Sequence, residues 1–243
     1  MPATRPRSFF IFAFLLLATL PLFGATDPLA AQRRSVAALL RGEPDAALQQ
    51  LGGMPTSGSS APEVENLKGL ALMMRGDARA ALPFFEKALP LEAARFNRAV
   101  ALLKLGRYAD ASAEFVKLYG DGKSTLRASA AYHNALALDA LRKPDEAITW
   151  LTRALDADAA FDSALLYLGV LYERGGDMQA AGKAYKQFLD RHPASTVAML
   201  RFGVAAQRAG HNDVARTYFG KIVSTAPNSA EAAEARMYLE MWE

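Results

Sequence analysis

Three histidines, one glycine-lysine-serine run and two acidic pairs are the residues of this chain whose types could carry chemistry. A metal needs donors that converge, commonly two histidines four apart on a helix. His133, His192 and His211 stand at unrelated places with no such spacing, so each reads as a surface or turn residue and no metal site is expected. There is no cysteine, which excludes disulfides, thiolate zinc sites and a lipidated cysteine. Gly122-Lys123-Ser124 matches the end of a phosphate loop, but the first glycine of that motif would fall on Lys117, inside a helical stretch. Asp145-Glu146 and Glu231 with Glu234 read as solvated helix starts, where carboxylates face the positive end of the dipole. With no nucleophile elbow or dinucleotide glycine loop either, the chain reads as non-catalytic and cofactor-free.

The elements that would position any site follow from composition and then from periodicity. At 243 residues, 51% hydrophobic and 22% charged, the chain can bury a sizeable core. Its net charge of +3 owes two charges to Arg5 and Arg7, and the basic residues form no stripe, so nucleic acid is not an expected partner. Those arginines precede an apolar run from Phe9 to Leu20, then Pro21 and Gly24, the layout of a secretory leader over residues 1–25. Cleavage after Ala25 would leave Asp27 and Pro28 to start a helix; cleavage after Ala31 suits a peptidase better and removes that start. Retention as an N-terminal membrane anchor is the alternative, and membrane contact is expected only through this segment. Either way the bulk of the chain is expected in the periplasm, or on the periplasmic face of the inner membrane.

Self-similarity organises the remainder. Small residues recur at Ser35, Gly69, Ala99, Ala135, Gly169 and Gly203, and alanines at Ala47, Ala81, Ala111, Ala147, Ala181 and Ala215, with spacings of 34, 30, 36, 34 and 34. A large residue follows each alanine by four: Leu51, Phe85, Phe115, Leu151, Tyr185 and Phe219. Between the two small slots lies a turn marked by Gly42, Gly76, Gly106, Gly176 and Gly210, with Arg142 the exception. Small slots let helix backbones approach, large ones fill the space beside them, and a turn glycine takes the left-handed conformation that ends a helix. The pattern predicts an all-α chain of antiparallel helix pairs, each unable to bury its apolar stripe without its neighbours.

The register resembles the tetratricopeptide repeat, from about Asp27 to Pro227 and best in the last three units, where Pro193 and Pro227 hold the terminal slot. Ala159 takes that slot one unit earlier, and the tryptophan slot holds Leu165 and Met199. The implied fold is an α-solenoid, expected over 63–228 after a weak hairpin at 26–51 and a flexible linker at 52–62 rich in Gly, Ser and Pro. Residues 229–243 are expected to form a capping helix, or, through Met241 and Trp242, a surface for self-association.

In the family it resembles, first helices of successive units line a groove for peptides or helices. Carried onto this chain, the lining includes Phe96 and Asn97, Tyr132, His133 and Leu136, Leu166, Tyr167 and Val170, and Arg201. This set is largely apolar and aromatic, and the lysines of the family's carboxylate clamp are missing, which favours an apolar segment or helix as the bound element. The same residues would alternatively thicken the core or meet the chain's own first hairpin. The resemblance implies a scaffold in the bacterial cell envelope that binds protein or peptide. Alternatives are a periplasmic chaperone or maturation factor holding unfolded exported clients, and a repeat subunit of a membrane enzyme complex.

Overall fold

The computed structural model describes residues 30–54, 57–58, 60–89 and 91–242. The expected leader, with Asp27 and Pro28, lies outside the described residues. Thirteen helices and no strand occur among the described residues. They are α1 (Ala30–Leu40), α2 (Pro44–Gly52), α3 (Ala61–Arg75), α4 (Ala78–Lys87), α5 (Glu92–Lys104), α6 (Tyr108–Gly120), α7 (Arg127–Ala140), α8 (Pro144–Ala157), α9 (Asp162–Gly175), α10 (Met178–Arg191), α11 (Thr196–Arg208), α12 (Asn212–Thr225) and α13 (Ala230–Glu240). The chain divides into two compact units at Leu118 and Tyr119, within α6. Ala61 and Pro62, placed in the linker by composition, are the first residues of α3, with proline suited to a helix's first turn. The other candidate cleavage point, after Ala31, falls inside α1.

Within each unit the architecture is an α-solenoid of packed helix pairs. All six ladder alanines are fully buried, and so are Leu51, Phe85, Phe115, Leu151, Tyr185 and Phe219. Each of those large side chains contributes about 1.5–3 kcal/mol through burial. The small slot opposite is tight: a Cβ added at Gly69, Gly169 or Gly203 would stand 2.4, 2.3 or 2.5 Å from the ring of Phe85, Tyr185 or Phe219. Ser35, Ala99 and Ala135 fill the same slot elsewhere.

Every hairpin turns the same way. The residue at the turn has positive φ in all six, five times glycine and once Arg142 at 62°. The next amide donates back across the helix end: Glu43 to the Ala38 carbonyl, Asp77 to Leu72, Arg107 to Leu102, Lys143 to Leu138, Asp177 to Tyr172 and His211 to Ala206, over 2.8–3.0 Å. This closure satisfies carbonyls that the helix end leaves open. Asp77 and Asp177 then cap the second helix through the amides of Ala80 and Ala180, each at 2.9 Å. Arg142 occupies a conformation that costs a side-chain-bearing residue about 1–2 kcal/mol. Arg142→Gly is therefore expected to raise stability by about 1 kcal/mol in urea denaturation. An unchanged or lower midpoint would show that its side chain compensates for the backbone.

The last helix is capped by Ser229, which accepts from the Ala232 amide at 3.1 Å. Trp242 folds back on Phe219, stacked at 6.0 Å, with the Arg216 guanidinium 5.2 Å from its ring. Tyr238 stacks on Phe219 at 4.9 Å. Met237 and Met241 remain exposed. No helix among the described residues is long and apolar enough to cross a membrane.

Candidate partner-binding face

The residues expected to line a groove fall in both units, and each set stands by itself. In the first unit Phe96, on α5, is only 3% exposed and packs edge-on to Phe115 at 5.7 Å. This corrects its assignment as a partner contact, because the ring fills the core beside α6. Asn97 keeps some exposure but donates from Nδ2 to Oδ1 of buried Asn66 at 2.9 Å, joining α5 to α3.

In the second unit the first helices α7, α9 and α11 carry the other seven residues. Tyr132 is half-buried among rings, with centroids 5.3 Å from His133, 5.5 Å from Phe161 and 6.1 Å from Tyr167. Leu136, Leu166, Tyr167 and Val170 are likewise part-exposed, and Arg201 is exposed. Leu166 and Val170 also pack against Ala181, Tyr185 and Ala205. The tyrosines, expected from the resemblance to line the groove, are thus partly structural.

Polar residues that the sequence reading missed tie this face together. The Tyr167 hydroxyl donates to Asp139 Oδ2 at 2.5 Å, and Arg174 pairs with the same carboxylate. Burial alone would raise the Asp139 carboxyl, but these donors outweigh it and hold it below the usual range. One repeat on, Glu173 plays the same part, receiving the Tyr185 hydroxyl at 3.0 Å, Arg201 at 3.3 Å and Arg208 at 3.7 Å. Burial, and then the facing carboxylate, push both tyrosine hydroxyls up. Their signal in sequence was recurrence: Asp139 and Glu173, Arg174 and Arg208, Tyr167 and Arg201 each stand 34 apart.

His133 is a part-buried residue of α7 and not a turn residue. Its Nδ1 lies 2.8 Å from the Ser129 carbonyl, and burial pushes the ring down to about 4 against that hydrogen bond. The neutral ring donates to Ser129. Because the unfolded chain takes up the proton first, stability is complete above about pH 6.5 and falls as pH drops toward 4. The ring is only partly covered, so the loss between pH 7 and 5 is expected on the order of 1 kcal/mol. Urea denaturation at both pH values should show it, and His133→Gln should remove the pH dependence; an equal loss in the variant would assign it to other groups. His192 Nε2 instead meets Asp162 Oδ2 at 2.5 Å, and His211 occupies the turn before α12.

Hairpins in one register, closed by one turn and tied by side-chain pairs across repeats, define a helical-repeat solenoid. The chain carries tetratricopeptide repeats: residues 132–196 and 197–229 match models described as tetratricopeptide repeat. No curated protein matches the chain in sequence. Its fold is similar to that of PilW, described as a widely conserved type IV pilus biogenesis factor, with a TM-score of 0.73 and 17% identity over 86% of this chain and 97% of that one. PilF of Pseudomonas aeruginosa aligns with a TM-score of 0.71 and 18% identity, over 86% and 96%. YrrB, described as having an unusual peptide-binding site, aligns with a TM-score of 0.57 and 19% identity, over 72% and 91%.

Proposed function

We propose that the chain is a non-catalytic scaffold of the bacterial envelope, and that the first helices of its second unit hold an apolar segment or helix of another protein. The observation that carries this is the row of part-exposed apolar side chains, Tyr132, Leu136, Leu166, Tyr167 and Val170, on two helices, α7 and α9, that the Asp139 pairs hold together, with the Glu173 pairs joining α9 to α11. Side chains already ordered before binding lose less freedom on contact, which favours affinity. His133 and Arg201 offer polar contacts beside the apolar ones. The similar fold of PilW, a type IV pilus biogenesis factor, supports an assembly role outside the cytoplasm.

Photo-crosslinking residues at Leu136 and Val170 in the native host are expected to trap one common partner from the envelope fraction. The same group at Thr149, exposed on α8, should not. Equal trapping at all three positions, or none at the first two, would remove this face from the function.

A further inference from the structure

A second candidate site lies within the second unit, between the second helices α10 and α12 and against α11. Here a crevice of about 310 Å³ has Gly182, Phe202, Ala206 and Val214 in its walls and Lys183 and Lys186 at its rim. That volume is at the low end of the ~300–1,000 Å³ of small-molecule sites, room for one or two side chains.

The crevice exists because two slots are empty that are filled one repeat earlier. Residues 34 positions before Gly182 and Ala206 are Ile148 and Tyr172, and both pack on the core of the preceding pair. Close packing does not require the glycine: a Cβ on Gly182 would meet the Phe202 ring at 3.8 Å, an ordinary contact. Glycine inside α10 weakens the helix relative to alanine without relieving any clash. It contrasts with Gly169, where a Cβ would overlap a ring.

The rim supplies the chemistry of the occupant. Lys183 has no carboxylate within salt-bridge distance among the described residues, Lys186 pairs with Asp190, and His211 completes a lining that contains no acidic side chain. Val214 is exposed at the mouth and the edge of Phe202 rests on Tyr218 at 4.7 Å. From the apolar walls and the cationic rim, we infer that this crevice is a second binding site, for a short acidic peptide segment that inserts a bulky apolar side chain. Its lining shares no residue with the proposed partner-binding face of the first helices.

The test uses the full chain, isotope-labelled, titrated with the peptide Ac-Glu-Leu-Phe-Glu-amide and separately with Ac-Lys-Leu-Phe-Lys-amide. The expected result is saturable shifts of the Gly182, Ala206 and Val214 amides with the acidic peptide, and binding of the basic one weaker by about tenfold. Gly182→Leu should fill the crevice and weaken binding by about tenfold or more while the thermal midpoint holds or rises. Should that variant fold poorly, Ala206→Tyr restores the ring that the preceding repeat carries and should block binding in the same way. Lys183→Glu should reverse the preference between peptides. Absence of saturable shifts at millimolar peptide, equal binding of both peptides, or undiminished binding to a folded crevice-filled variant would overturn the proposal.

Discussion

Gly169→Ala is expected to destabilise the fold by about 3 kcal/mol, although alanine is the better helix former by about 1 kcal/mol at an exposed site. The added Cβ would lie 2.3 Å from the Tyr185 ring, which is fully buried. Two other pairs show what relief would look like. Ala135 sits opposite Leu151, where no ring needs room; Ala99 sits opposite Phe115, whose ring stands edge-on to Phe96. Tyr185 lacks that freedom because its hydroxyl is held by Glu173. Adding Tyr185→Leu to Gly169→Ala should therefore recover part of the loss, with a coupling of about 1.5 kcal/mol in a double-mutant cycle. Urea denaturation followed by circular dichroism measures all four corners. Additive losses would mean that the alanine is accommodated by moving the helices and not by the ring.

Glu173→Ala is expected to cost about 2 kcal/mol, with most of it coming from the hydroxyl and little from the arginines. Tyr185 is fully buried, so removing its acceptor leaves a polar group with no exchange partner in water. Arg201 and Arg208 are 51% and 53% exposed in their side chains, and ion pairs of that kind contribute about 0–1 kcal/mol. Glu173→Gln keeps an acceptor for the hydroxyl and should lose less than half as much. Salt separates the two parts: in high salt the arginine contribution is screened while the hydroxyl's is retained. A loss for Glu173→Ala that disappears in high salt would reverse the assignment.

Much of the fold was legible because its determinants repeat. The alanine ladder, the large residue four later and the turn slot are each bound to one packing role, so spacing alone located them. Arg142 was visible as the one departure from glycine, and the structure shows the same backbone there under strain. The faces of the first helices were harder to read, because a half-buried position takes either a core or a surface residue. Phe96 was misplaced for that reason: its type suits a partner contact and equally suits the space beside Phe115. Asp139 and Glu173 were missed because single charged residues on helices are usually solvated. Only their pairing with residues of the next repeat distinguishes them. The crevice at Gly182 was in the 34-residue comparison too, but as a missing side chain, which becomes informative only when the space it leaves is seen.

The two tyrosines are poor probes of binding taken alone, since Tyr167 anchors Asp139 and Tyr132 packs on Phe161. Leu136 and Val170 have no such polar duty, and they report contact without removing a hydrogen bond from the ladder.

Met237 stands 34 residues after Gly203, at the slot where five of the six first helices carry glycine or alanine and the other serine. Its exposed thioether occupies the ground on which a following second helix would have to land. Arrays of this type lengthen readily by duplication of one unit, since each copy brings the surface that its neighbour needs. A second helix packed on α13 in this register would meet a flexible four-atom side chain where the six earlier slots hold hydrogen, methyl or hydroxymethyl. A small residue in place of Met237 would be needed first, so α13 departs from the register that the six earlier first helices share.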